Sequence, residues 1–174
     1  MSLNSQQVEA IMSGIALLSS GGDTNRDGSD YTQMTPDRRA GRYAFTAEHL
    51  ETTGYYAGGT AANYGNDACY RTDVWTKKNG IKDMKSLLGT PGVQDDIMYT
   101  LLSKNYKTLI SAGLIDPLNP TYHVAGMLCV AHLLGVDGAI TWAQSGVGFT
   151  ANGERGDEYY AQGKYMIEAG IIYG

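Results

Sequence analysis

The sequence has little sulfur chemistry, little proline and no strong charge. Two cysteines among 174 residues exclude a disulfide framework. Cys129 falls in an apolar run and Cys69 in a polar stretch, and both read as free thiols. A formal charge of −5, with no basic stripe, argues against a nucleic-acid partner. No uninterrupted apolar stretch reaches the ~18 residues that mark a membrane span. The start, MSLNSQQVEA, has neither a basic region nor an apolar one, so no signal peptide is expected. Phenylalanine is scarce at 2, whereas tyrosine stands at 13, so tyrosines do much of the aromatic packing and each buried hydroxyl needs a partner.

What is present is an ordinary globular composition, 43% hydrophobic and 18% charged, in a length that suits one domain over 1–174. The longest apolar run is Asn119 to Trp142. Asn119 is an N-cap candidate, and Pro120 suits a first helical turn, where its missing N–H goes unneeded. Val124, Met127, Leu128, Ala131 and Leu134 recur at helical steps, and Gly135 ends the run. This predicts a central buried helix over about 119–135, closely approached by neighbours at Ala125, Gly126 and Ala131, with a second short helix over Asp137 to Trp142.

Other helices are predicted from Asn4 or Ser5 to Leu18, after Thr46 to about Thr53, over Ile81 to Leu88, from Pro91 to about Ala112, and over Glu158 to Ile171. Arg42 to Phe45 reads as a short extended piece. Ser20–Gly41, Tyr55–Asn79 and Gln144–Gly156 read as long irregular loops, where binding surfaces usually sit. The fold class is mainly α, a helical single domain with long loops.

Motifs for chemistry are sparse. His123 and His132 lie nine residues apart, not the four that place two imidazoles on one helix face, so no metal site is expected. Asp23, Asp27, Gly28 and Asp30 approximate a calcium loop, but its twelfth position is Met34 rather than glutamate. Gln144-Ser145-Gly146 is no nucleophile elbow, and Gly146-Val147-Gly148 lacks the strand and lysine of a phosphate cradle.

Five segments in order carry a family likeness: SGIALLSSGGD (Ser13–Asp23), AGRYAFTAEHLETTGYY (Ala40–Tyr56), Gly80–Asp116, VAGMLCVAHLLGVDGAITW (Val124–Trp142) and ANGERGDEYYAQGKYMIEA (Ala151–Ala169). Together they resemble the lysozyme-like, lytic-transglycosylase-type domains of tailed-bacteriophage virion proteins. The resemblance implies a lysozyme-like helical fold with a sugar-binding cleft and no cofactor. It implies substrate-binding positions at Tyr43, Ala44, Tyr55 and Tyr56. It also implies a place in the virion tail, after assembly in the host cytoplasm, with other tail or baseplate proteins and peptidoglycan glycan strands as partners.

Two departures change that implication. The family's catalytic glutamate closes the first helix in a Glu-Ser-Gly-Gly-Asp pattern, and here the position is Ser19. An alternative register on Gly28-Ser29-Asp30-Tyr31 puts Arg26 there, beside Asp27. The family's Tyr-Gln-Phe segment keeps Tyr43 and Phe45 but has Ala44 at the glutamine. Glycosidic cleavage needs a carboxylic acid to protonate the leaving oxygen, worth roughly 10²–10⁴-fold, and neither serine nor arginine can replace it. Fallback acids are Asp23, Asp27 and Glu48, the last near Glu51 on a helix. Three readings follow: a degenerate, catalytically inactive structural component of a phage tail or baseplate, which the lost acid favours; an active muramidase or lytic transglycosylase with a relocated acid; and a non-cleaving peptidoglycan-binding module using Tyr43, Tyr55, Tyr56 or Tyr64.

Overall fold

Asn4 starts the first helix by a reciprocal cap. Its side chain accepts from the Gln7 amide at 2.9 Å, while the Gln7 side chain accepts from the Asn4 amide at 2.9 Å. The computed structural model describes residues 3–19, 27–150 and 153–173, with side chains through residue 170. Among the described residues the protein is mainly α-helical, with isolated bridges in place of strands. The helices are α1 (Ser5–Leu18), α2 (Ala47–Thr52), α3 (Thr60–Tyr64), α4 (Met84–Leu88), α5 (Pro91–Ser111), α6 (Thr121–Ser145) and α7 (Gly156–Tyr173). The chain packs as two compact units, Met1–Ile15 with Leu102–Gly174, and Ala16–Leu101.

The first unit is built on α6 and α7. Every residue from Val124 to His132 is buried, so this part of α6 is enclosed on all sides, as its unbroken apolar and small sequence requires. By length and composition α6 could cross a membrane, but 56% of its most apolar window is buried within the protein, as in a core helix. Glycines bring α7 close. A side chain at Gly126 would meet the Tyr160 ring at 2.6 Å, and one at Gly163 would meet the Ala125 carbonyl oxygen at 2.6 Å. Cys129 lies in this seam, fully buried, and burial pushes its thiol up to about 12, so it packs as an inert apolar group.

Gly135 breaks α6 at φ 71 and ψ 170. Nothing crowds a side chain there, so the glycine serves backbone conformation rather than space. The start of α6 differs from expectation. Pro120 occupies the cap position without a side-chain bond, and Asn119 instead accepts from the Asp116 amide at 2.7 Å, closing the preceding turn.

The second unit holds α2, α3, α4 and most of α5. Thr46 caps α2 through a reciprocal bond pair with His49, and Asp83 caps α4 in the same way with Ser86. Asp83 therefore sets the start of α4 at Met84, three residues after the predicted Ile81. Tyr55–Asn79, expected as irregular, contains α3 and a 3-10 helix over Gly65–Tyr70. Arg42–Phe45 is not an extended piece. The amides and carbonyls of Ala40 and Phe45 pair at 2.8–2.9 Å around a tight turn, with Gly41 at φ 76 and Ala44 at φ 49.

Candidate functional site

The turn that carries Tyr43 and Ala44 is held by two buried glutamines. Gln33, 3% exposed, donates through Nε2 to the carbonyls of Ser19 at 2.9 Å and Gly41 at 3.0 Å. Gln94, fully buried on α5, accepts from the Arg42 amide at 3.0 Å through Oε1 and donates through Nε2 to the carbonyls of Tyr31 and Leu87 at 2.9 and 3.0 Å. Gly41 lies so close to the Gln94 amide that any side chain there would collide with it. The turn and α5 are thus joined by hydrogen bonds from a buried side-chain amide to backbone groups.

The joined elements bring together Tyr31, Arg42, Tyr43 and Asp95. Arg42 donates from Nη1 to the hydroxyls of Tyr31 at 3.1 Å and Tyr43 at 3.0 Å, and from Nε to the Gly28 carbonyl at 2.7 Å. Its guanidinium also lies over both rings, 5.3 and 5.2 Å from their centroids. The two hydroxyls donate in turn to Asp95 Oδ1, at 2.9 Å from Tyr31 and 2.6 Å from Tyr43. Burial pushes the Tyr43 phenol well above its ordinary range, and the bond to Asp95 pushes the same way. Burial works to lower the Arg42 guanidinium, but the two phenols and Asp95 outweigh it and raise it. Hydrogen bonds here run from arginine through tyrosine to carboxylate. Asp95 is used as an acceptor, the opposite of the proton donor that glycosidic cleavage needs.

Among the described residues the predicted site residues do not assemble around a groove. Ser19 is buried, with its carbonyl tied to Gln33. Tyr43 is fully buried and Ala44 is 2% exposed. Tyr55 and Tyr56 are each 3% exposed. Tyr56 packs edge-on against Trp75, centroids 4.7 Å apart, and the bridge between these residues pairs their backbones. Tyr55 is closed over by residues 77–80: Lys78 Nζ stands 4.9 Å from its ring centroid and donates to the Thr53 carbonyl at 2.7 Å, while Asn79 Nδ2 donates to the Tyr55 hydroxyl at 2.9 Å.

The fallback acids among the described residues are equally dispersed. Glu48 is exposed on α2. Glu51 accepts from the amides of Ala61 at 2.8 Å and Gly59 at 3.0 Å, which caps α3 and holds the carboxyl below its ordinary 4.5. Asp27 is exposed and accepts from the Ser29 amide at 3.0 Å in a local turn. Asp23 and Arg26 lie outside the described residues. A surface cleft of about 360 Å³ belongs to the other unit, lined by residues that include Val147, Phe149, Arg155 and Asp157, and contains no predicted site residue. Among the described residues no three His, Cys, Asp or Glu side chains group as a metal site would require.

Sequence reasoning missed Tyr31, Gln33, Gln94 and Asp95. One signal for Gln94 was readable: it stands three, four and seven residues before Ile97, Met98 and Leu101, a polar residue on an apolar helix face. No family model, curated protein or solved structure matches the chain.

Several carboxylates of this kind serve as caps, which sets a pH dependence. Asp83 is held below its ordinary 3.8 chiefly by the Ser86 amide, and Glu51 below 4.5 by the Ala61 and Gly59 amides. A carboxyl depressed in the folded state adds stability that is complete above its unfolded value and lost as pH falls through the folded one. The melting temperature is expected to be flat above pH about 5 and to fall below pH about 4. A melting temperature that holds or rises between pH 4 and pH 3 in a circular-dichroism series would contradict these caps.

Proposed function

We propose that the chain is a degenerate lysozyme-like domain, without catalytic activity, that serves as a structural component of a phage tail or baseplate and has other tail or baseplate proteins as partners. The reading joins the family resemblance to one structural observation. Tyr43, Tyr55 and Tyr56, three of the tyrosines that would contact glycan, are buried in the protein's own packing, with residues 77–80 closed over Tyr55. Ser19 cannot protonate a leaving oxygen, and the carboxylates of Glu51, Asp27 and Asp95 are engaged in a cap, a turn and the Arg42 network.

Turbidity clearing of purified peptidoglycan tests the reading, with the protein and its Ser19→Glu variant side by side. Neither is expected to clear the suspension. Clearing by the unaltered protein would overturn the reading in favour of an active enzyme with a relocated acid. Clearing by the variant alone would mean that a usable groove persists and that the packed shelf is not the obstacle.

A second reading, a non-cleaving peptidoglycan-binding module, is favoured by Tyr64. It alone among the tyrosines named for glycan contact is exposed, at 40%, and Arg71 stacks on one face 4.2 Å from the centroid. Co-sedimentation with peptidoglycan that is lost in Tyr64→Ala would move the assignment there.

A further inference from the structure

The strap over Tyr55 has an unusual backbone. Lys77, Asn79 and Gly80 all take left-handed conformations, with φ of 64, 51 and 77. Two of these residues carry side chains, which makes the conformation one that surrounding contacts must maintain. The contacts are few. Gly80 N–H donates to the Lys77 carbonyl at 3.1 Å, Ile81 N–H donates to the Lys78 carbonyl at 3.0 Å, and the Lys78 and Asn79 side chains reach Thr53 and Tyr55. Residues 76–80 are otherwise exposed.

Asn79-Gly80 is also the dipeptide most prone to spontaneous deamidation, because glycine leaves the following nitrogen unhindered. The Gly80 nitrogen loses its proton and attacks Cγ of Asn79. A bond from that nitrogen to Cγ forms, the bond from Cγ to the side-chain nitrogen breaks, and ammonia leaves. Water then opens the cyclic imide at either carbonyl, giving aspartate or isoaspartate.

The native strap opposes each part of this step. At ψ 28 the Gly80 nitrogen lies on the side of Cα away from Cβ, so it cannot reach Cγ without a large rotation about the Cα–C bond. Its N–H is already donated to Lys77, and the Asn79 amide is anchored on the Tyr55 hydroxyl. Ring closure therefore requires the strap to come off Tyr55.

We propose that Asn79 is a deamidation site gated by this strap, so that its conversion proceeds through strap opening. Isoaspartate would make the change irreversible. It routes the main chain through an extra methylene and removes the amide that donates to Tyr55, so the strap cannot reseat as before.

The test follows residue 79 in the full chain by peptide mass spectrometry, with isoaspartate identified by electron-transfer fragmentation. The protein is held at mildly alkaline pH, folded and in urea, alongside folded Lys78→Ala and Tyr55→Phe variants. The second Asn-Gly pair, Asn152-Gly153, is resolved as a separate peptide. Folded protein is expected to convert at least about tenfold more slowly than protein in urea, equivalent to about 1.4 kcal/mol for strap opening. Both variants are expected to convert several-fold faster than the folded parent at unchanged circular dichroism. Equal rates in folded and urea samples would overturn the proposal, as would folded variants that convert at the parent's rate. Should either variant lose its fold, the comparison of folded and urea-treated parent still decides.

Discussion

Replacing Gln94 by leucine is expected to destabilise the protein by about 4 kcal/mol, near the top of the range for single substitutions. Leucine is close in size, so the loss would come from hydrogen bonding rather than from a cavity. Gln94 is fully buried, and its amide serves three backbone groups: the Arg42 N–H at 3.0 Å, the Tyr31 carbonyl at 2.9 Å and the Leu87 carbonyl at 3.0 Å. The Leu87 carbonyl keeps the Thr90 N–H at 3.2 Å, so the loss falls on the part-buried Arg42 N–H and Tyr31 carbonyl, at about 1–3 kcal/mol for each group left unpaired. The melting temperature should fall by roughly 10 °C for a chain of this length. Gln94→Glu is the informative companion. It keeps the acceptor for Arg42 but loses both donors, and it brings a charge into a buried place beside two carbonyls, so it should be destabilised as well. A Gln94→Leu variant within about 1 kcal/mol of the parent would mean that the turn at Gly41–Ala44 is held by something other than this side chain.

Gly163→Val is expected to cost about 3 kcal/mol through overpacking of the α6–α7 seam. A Cβ at this position would lie 2.6 Å from the Ala125 carbonyl oxygen, 2.8 Å from its carbonyl carbon and 2.9 Å from Cys129 Sγ. Two of those three atoms are backbone of the buried α6, which cannot swing aside as a side chain can. The penalty therefore exceeds the ~1 kcal/mol that removing a helical glycine normally returns. Gly170 on the same helix provides the contrast. Nothing stands within 4 Å of a Cβ there, so Gly170→Ala should be neutral or slightly stabilising. Urea titration of the two variants separates close packing from helix propensity. If Gly163→Val were as benign as Gly170→Ala, the close approach of the two helices would be wrong.

These substitutions mark the division between what was readable in the chain and what was not. The helix starts at Asn4, Thr46 and Pro91 were legible, as was the break at Gly135. Each depends on a bond or backbone preference within three or four residues, so the residues responsible are neighbours in sequence. The burial of α6 over Val124–His132 was legible for a related reason, since a helical stretch without a polar face has to be enclosed. Where a distant residue supplied the partner, local reading failed. The short helix α3 was missed because its amides are capped by Glu51, ten residues before Ala61. Asn119 was misread for a different reason: its partner is only three residues away, but it is the Asp116 amide in the turn behind rather than an amide of the helix ahead.

For the candidate site the difference is larger. The family resemblance singled out Tyr43, Ala44, Tyr55 and Tyr56 and set Ser19 at that family's glutamate position, but the sequence by itself carried no information on whether those tyrosines face solvent. Only the tertiary structure decided that. Arg42 meets Gln94 across 52 residues, Tyr31 meets Asp95 across 64, and Asn79 reaches back 24 residues to Tyr55. An aromatic ring has the same identity in an open groove and under a strap. What separates the two is a hydrogen bond formed after the chain has folded back on itself, and no local periodicity or cap records that bond.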